Sequence, residues 1–401
     1  MAIFKQKLLW IGLVAVFVVM MVFGLAMMGS VLGAKPQHLP VALVVEDKAA
    51  ARPDGSALNV GEEVKKNLLS NTALPFEWHV VSTESEARAG LDRQDYYGAL
   101  LIPPDLSAGV LSLATGTPQP ATITIIGSDG ANAQASATVK QVLGQVAQGI
   151  SAGLTQQLLG QAGASSAVIP VSTAQAMMNP FAVTQETVHP VGANNASGNA
   201  PGMLTQIMWI GSLVVSIILM FAAKKVNAAP VRRLGVQAVQ LVAGAVFIAG
   251  VSGYLVWMAH SWYGMDFADA SHTWLILMLA GIAFFAVQST LLNWLGMPAM
   301  PLLILLMFFS LPVVNMAPEF LPQTTQDWLY SWTPFRFVAS ALRNSLYFSG
   351  VDVPGISLKV LWSMSGIGAA LVLAAAFKPR KAAIEAQGNN SGAASSAAKG
   401  Q

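Results

Sequence analysis

Residues 203–223 read MLTQIMWIGSLVVSIILMFAA, without a single charge, and Lys224-Lys225 closes the run. At ~1.5 Å rise per residue, about twenty apolar positions in a helix cover the ~30 Å hydrocarbon core of a bilayer, so the stretch predicts a spanning helix. It is approached through ETVHPVGANNASGNAPG, residues 186–202, a polar run rich in Gly, Pro and Asn. That abrupt change divides the chain. The N-terminal side of it, apart from the first thirty or so residues, reads as a water-exposed domain, and the C-terminal side reads as membrane.

Composition agrees with this division. Of 401 residues 54% are apolar and 10% charged, whereas soluble domains carry about 25% charged residues. A net charge of +2, with the basic residues at helix ends rather than in a patch, excludes the electrostatic footprint of a nucleic-acid binder. The absence of cysteine removes disulfides, thiol catalysis and Cys-ligated metals together.

Lys5 and Lys7 precede Leu8–Leu32, which carries no charge. The apolar region of a cleaved signal peptide is only ~7–15 residues long, so this is read as a retained anchor helix (residues 1–34). Cleavage near Gly29, Ser30, Gly33 and Ala34 is the alternative. Residues 35–202 alternate strand and helix patterns, which predicts a small α/β domain. The expected strands are Pro40–Val45, Phe76–Val81, Tyr96–Ile102 and Ala121–Ile126, with weaker ones at Ala167–Val171 and Phe181–Val188. Asn59 is expected to cap a helix through Leu69. Ser82 or Thr83 caps a second, with Glu86 completing a capping box. Short and long helices are expected at Asp105–Leu113 and Ala131–Gln161.

Residues 203–380 read as a five-helix transmembrane domain. After the first of these spans come Leu234–Met258, Leu275–Leu295, Leu302–Val314 with its flanks, and Ile356–Phe377. Their interiors are read as uncharged, which argues against an ion-driven relay. The segment 315–354 is too proline-rich for one helix, and is expected to form short re-entrant or interfacial helices at the outer face, with Arg336 and Arg343 seven apart on one side. Lys5/Lys7, the loop Lys224–Arg233 and Lys378/Arg380/Lys381 fall on one side only if there are six spans, and the positive-inside rule makes that side cytoplasmic. The fold class expected is therefore a polytopic α-helical membrane protein, six spans arranged 1+5, with an extracytoplasmic α/β domain inserted between the first and second. It would sit in the cell membrane with both termini cytoplasmic and a disordered tail at 381–401.

No Gly-x-x-x-x-Gly-Lys-Ser/Thr phosphate loop, Gly-x-Ser-x-Gly elbow or His-Glu-x-x-His helix occurs, so no catalytic, cofactor-binding or metal residues are expected. His260, Asp266, Asp269 and His272 have zinc-ligand chemistry, but a loop of that polarity reads as solvated. The candidates for a substrate path or gate are Gln206, Gln237, Gln240, Gln288, Arg336 and Arg343. For the glutamines the competing assignment is helix-to-helix hydrogen bonding; for the arginines it is snorkelling to headgroups.

Three stretches carry a family resemblance: Tyr96-Tyr97-Gly98-Ala99-Leu100-Leu101-Ile102-Pro103-Pro104-Asp105-Leu106-Ser107; Val188-His189-Pro190-Val191 through Ala200-Pro201-Gly202 into Trp209; and Trp332-Thr333-Pro334-Phe335-Arg336 through Ala341-Leu342-Arg343. With the 1+5 layout, the chain resembles the ABC-2 type permeases, and among them the YhgE/Pip branch. The resemblance implies export of drugs, peptides or lipids, a separate ATPase subunit and a homodimer; it also implies, as a rival class, a surface receptor for phage or a secretion-associated scaffold. Permeases of this layout often carry an amphipathic helix before the first span. Here seven residues precede Leu8, which weighs toward the scaffold.

Overall fold

The computed structural model describes residues 35–52, 55–113, 118–164, 171–226 and 230–378, with Val14, Phe17, Val18, Met20, Met21 and Gly24. The expected anchor Leu8–Leu32 otherwise lies outside the described residues, as does the tail 381–401.

The first half folds around a five-stranded mixed sheet. β1 (Leu39–Val45) runs parallel to β4 (Phe76–Val81) on one side and to β5 (Gly98–Ile102) on the other; β6 (Ala121–Ser128) is antiparallel to β5, and β7 (Phe181–Val188) closes the far edge parallel to β6. A two-stranded ribbon, β2 (Ala50–Ala51) with β3 (Ala57–Leu58), comes after β1. β1 reads as an unbroken apolar run because it is buried on both faces, as central parallel strands are. Leu39, Val41 and Leu43 enter one layer, and Ala42 and Val44 the other.

Helices cover both faces. On the first lie α1 (Val60–Ser70) and α3 (Leu106–Ser112), while α2 (Glu84–Asp92) buries Ala87 and Leu91 on the second. α1 starts where Asn59 Oδ1 accepts the Glu62 N–H at 3.0 Å. α2 starts with the expected reciprocal box: Thr83 Oγ1 accepts from the Glu86 N–H at 3.3 Å and Glu86 Oε2 from the Ser82 N–H at 2.9 Å. α4 (Ala133–Ala164) lays Ala135, Val139, Leu143 and Ala147, four apart, across the first face. The expected strand at Ala167–Val171 is corrected where it is described: residues 165–170 lie outside, and Val171 opens a helix, α5 (Val171–Met178).

The second half is a helical bundle. α6 (Ala200–Lys225), α7 (Pro230–Tyr263), α8 (Ala270–Leu295) and α11 (Gly355–Ala374, extended by a turn to Phe377) are four helices long and apolar enough to cross a membrane; α9 (Ala299–Asn315) is apolar but shorter. Between α9 and α11 lie a 3-10 turn (Pro318–Phe320), a π turn (Gln326–Tyr330) and α10 (Pro334–Tyr347). Prolines at 318, 322 and 334 thus start new segments, whereas Pro312 falls within α9. Lys359 is a charge that the uncharged reading of the spans passes over; it lies in the second turn of α11 and is exposed.

The five helices α6 to α9 and α11 run alternately between two ends. At one end Arg233 Nη1 donates to the Lys378 carbonyl at 3.4 Å and Lys378 Nζ donates to the Trp294 carbonyl. At the other, Asp266 bonds to Asn195, and Ala317 and Phe320, just past α9, enter the core of the sheet. α8 is the central helix, wrapped by α6, α7, α10 and α11. Its Phe284 meets Trp209 of α6 edge-on at 4.9 Å and Phe335 of α10 at 5.2 Å, all three rings fully buried. α7 is the opposite case: Val239, Val242 and Val246 are about two-thirds exposed, an apolar face that none of the described residues covers. Tyr254, Trp257 and Trp262 cluster 5.6–6.3 Å apart near its end, where a membrane interface favours amphipathic rings.

Candidate functional site

α10 is strongly amphipathic, and its two faces serve different parts of the molecule. Phe335, Val338, Leu342 and Leu346 fill the bundle core. The adjoining stripe, Arg336, Ala339, Ser340 and Arg343, has the i, i+3, i+4, i+7 spacing of one helical face and lines a cavity of about 170 Å³. Across it stand Gln94, Tyr97 and Asn132 of the sheet region and Tyr330 of the π turn. Helix periodicity alone therefore brings both arginine candidates to one place.

The guanidinium of Arg336 lies 4.7 Å from the Tyr330 ring centroid and 4.3 Å from that of Phe337, a cation–π arrangement. Its Nε is buried and has no hydrogen-bond partner among the described residues.

Tyr97 joins the two halves. It packs against both the bundle core and the sheet core, and its hydroxyl donates to Glu319 Oε2 at 2.8 Å. Burial, then the neighbouring Glu319 carboxylate, pushes its hydroxyl well above the ordinary tyrosine range, so it stays a donor. Burial also raises the Glu319 carboxyl, against the pull of hydrogen bonds from its own backbone and from Tyr97. The Glu319 carbonyl accepts from the Gln37 N–H at 3.1 Å, so the chain entering the sheet region starts beside this junction.

The loop 189–202 makes a second tie. His189, at φ 49°, bonds Asp92 Oδ1 through Nε2 at 2.9 Å and stacks on Phe348 at 4.2 Å. Asn195 pairs with the backbone of Asp266 in both directions at 3.0 Å. Gly192 has φ +74°, and a Cβ there would stand 2.9 Å from Asp266 Oδ2, so this position favours glycine. At the sheet edge Arg88 holds Glu186 of β7 with two bonds of 2.7 and 2.8 Å, and keeps that carboxyl below its ordinary range.

The glutamine candidates do not join the arginines. Gln288, fully buried, donates to the Trp209 carbonyl at 3.0 Å. Asn293 Nδ2 donates to Gln237 Oε1 at 3.1 Å and Gln240 Oε1 at 3.3 Å. Gln206, half-buried on α6, takes part in neither network. These bonds pair polar groups between apolar helices, while Gln240 Nε2 keeps no partner among the described residues. Gln237 and Asn293 also border a larger cavity, about 550 Å³, at the basic end of the bundle beside Lys224, Arg233 and Lys378.

The loop with zinc-ligand chemistry is engaged otherwise. Asp269 Oδ1 caps α8 by accepting from the His272 N–H at 3.0 Å, and His260 Nδ1 lies 3.3 Å from the Met265 carbonyl. Among the described residues no three His, Asp or Glu side chains converge as metal ligands would. The residues that sequence reasoning missed are Tyr97, as a junction residue, and Glu319. The latter is the only charge between Leu302 and Gln326, and that isolation was the available signal.

No curated protein and no solved structure matches the chain. Over residues 7–377 it matches the family described as ABC-2 family transporter protein. With a match of that extent, joined to a bundle of membrane-spanning length, the chain is a multi-pass membrane protein and belongs to the ABC-2 transporter family.

Proposed function

We propose that the chain is the permease of an exporter for an amphiphilic or hydrophobic substrate (a drug, lipid or peptide), working as two copies with a separate ATPase. The observation that carries this is the cavity at the junction: a polar, doubly cationic space against the end of an otherwise apolar bundle. An amphiphile has the matching two-part chemistry.

The topology proposed is six spans, with Leu8–Leu32 first and α9 counted despite its length, and with residues 35–202 outside the cell. Lys224, Arg233 and Lys378 share one cavity, which supports placing the basic segments on one side, and the positive-inside rule makes that side cytoplasmic. Gln37 beside Glu319 supports a first span that enters from the opposite end.

Purification of the tagged chain from its native membranes tests the pairing. An ATPase subunit should accompany it, and ATP should drive a lipid or hydrophobic dye across reconstituted vesicles. A chain that arrives without any ATPase and leaves dye distribution unchanged would sink the reading and favour the scaffold.

A further inference from the structure

We infer that the junction cavity binds a phosphoryl group, carried by an anionic lipid or as inorganic phosphate, with Arg336 and Arg343 as its ligands. The inference rests on the exporter reading for its role in transport, while binding itself is measured without it.

The chemistry starts from an imbalance of charge. Arg336 and Arg343 line one cavity, and among the described residues neither forms an ion pair within 4.0 Å. Partly buried cations without a counter-charge are costly, and an anion of matching size relieves that cost. No Asp or Glu lines the cavity, and Glu319, next to its Pro318, accepts from Tyr97. The cavity therefore offers two guanidiniums and no carboxylate of its own to meet them.

The geometry is built rather than incidental. Tyr330 and Phe337 flank the Arg336 guanidinium, so its plane is held before any ligand arrives, and its buried Nε still lacks an acceptor. Ala339 and Ser340, one turn from each arginine, leave the space open. Asn132 spends its Oδ1 on the Ala135 N–H at 2.9 Å, which leaves its amide nitrogen as a further donor on the far wall. A phosphoryl group brings up to two negative charges and three acceptor oxygens, and the planar guanidinium fork suits it. At 170 Å³ the space is several times the ~30 Å³ share of one water. It borders Val313 and Val314 near the end of α9, where the apolar run stops.

The test titrates the full chain in detergent with dihexanoyl phosphatidic acid, inorganic phosphate and dihexanoylglycerol, reading binding by calorimetry. Saturable binding of phosphatidic acid is expected, weakened about tenfold or more in R336Q and in R343Q, as for the loss of a charge-assisted bond. S340E, which sets a carboxylate between the arginines, should abolish it. R93Q, at an exposed arginine of the sheet region, should leave it unchanged. Competition by phosphate would assign the free ion as a ligand; its failure to compete would assign the lipid headgroup. Equal binding of dihexanoylglycerol, no saturable binding of either phosphorylated ligand, or wild-type affinity in folded R343Q and S340E would overturn the inference. Binding as expected by a chain that, reconstituted with its ATPase, shows no transport counts against the exporter reading instead.

Discussion

The interior of the bundle and its junction with the sheet region differ in the charge of the groups they bury. Around Trp209, Phe284 and Phe335 the rings fill space, and the buried Gln288 amide is spent on the Trp209 carbonyl. Among the described residues the interior too leaves neutral atoms unpartnered, Trp209 Nε1 and Gln240 Nε2. At the junction the unpartnered atom, Arg336 Nε, belongs to a cation, and neither Arg336 nor Arg343 has an ion pair among the described residues. A buried neutral atom calls for no counter-charge, whereas two guanidiniums do, and the proposed phosphoryl group would supply it.

Breaking the interior should have the largest effect. Trp209→Ala removes a fully buried ring from a three-ring cluster, and is expected to cost about 3–5 kcal/mol, read as a lowered melting temperature in detergent. A loss below about 1 kcal/mol would mean the cluster is not the packing centre. Overfilling the same region comes next. A Cβ at Gly368 would lie 2.7 Å from the Ala286 Cβ, across the α8–α11 contact that Thr290 closes by donating to the Gly368 carbonyl at 3.1 Å. Gly368→Val should cost about 1–3 kcal/mol.

The junction is probed by pH. The raised carboxyl of Glu319 binds its proton more tightly in the folded chain than in the unfolded one. Its contribution is therefore complete below the ordinary glutamate value of about 4.3 and is lost as pH rises through the folded value. Glu319→Gln should flatten the decline in melting temperature over that window; an unchanged slope would show that Glu319 is not buried at this interface. Glu186 has the opposite sign, its lowered carboxyl contributing above the ordinary value and losing that contribution as pH falls. Its pair with Arg88 is more than a third exposed on both sides, so Arg88→Ala should cost under about 1 kcal/mol. That is the smallest effect in the set.

The sheet and four of the spans were legible because their signals are local. β1 announces itself by an unbroken apolar run, Thr83 and Glu86 by their spacing, and α6 by length without charge. The cavity was legible only by half. The seven-residue spacing of Arg336 and Arg343 put them on one helical face, yet what that face meets, Tyr97 and Asn132, lies some two hundred residues earlier in the chain. Gln237, Gln240 and Gln288 looked equal to the arginines as candidates, since a glutamine in an apolar helix gives no sign of its partner. Only the distances to Asn293 and to the Trp209 carbonyl sort them.

The central claim is that the bundle crosses the bilayer with the sheet region outside and the basic end inside. Because the protein has no cysteine, single cysteines can report each side without background. Lys66→Cys on α1 and Val226→Cys beyond α6, both at exposed positions, would be treated in intact cells with a membrane-impermeant maleimide. Lys66→Cys should label at once and Val226→Cys only after permeabilisation. Equal labelling of both in intact cells would contradict the account.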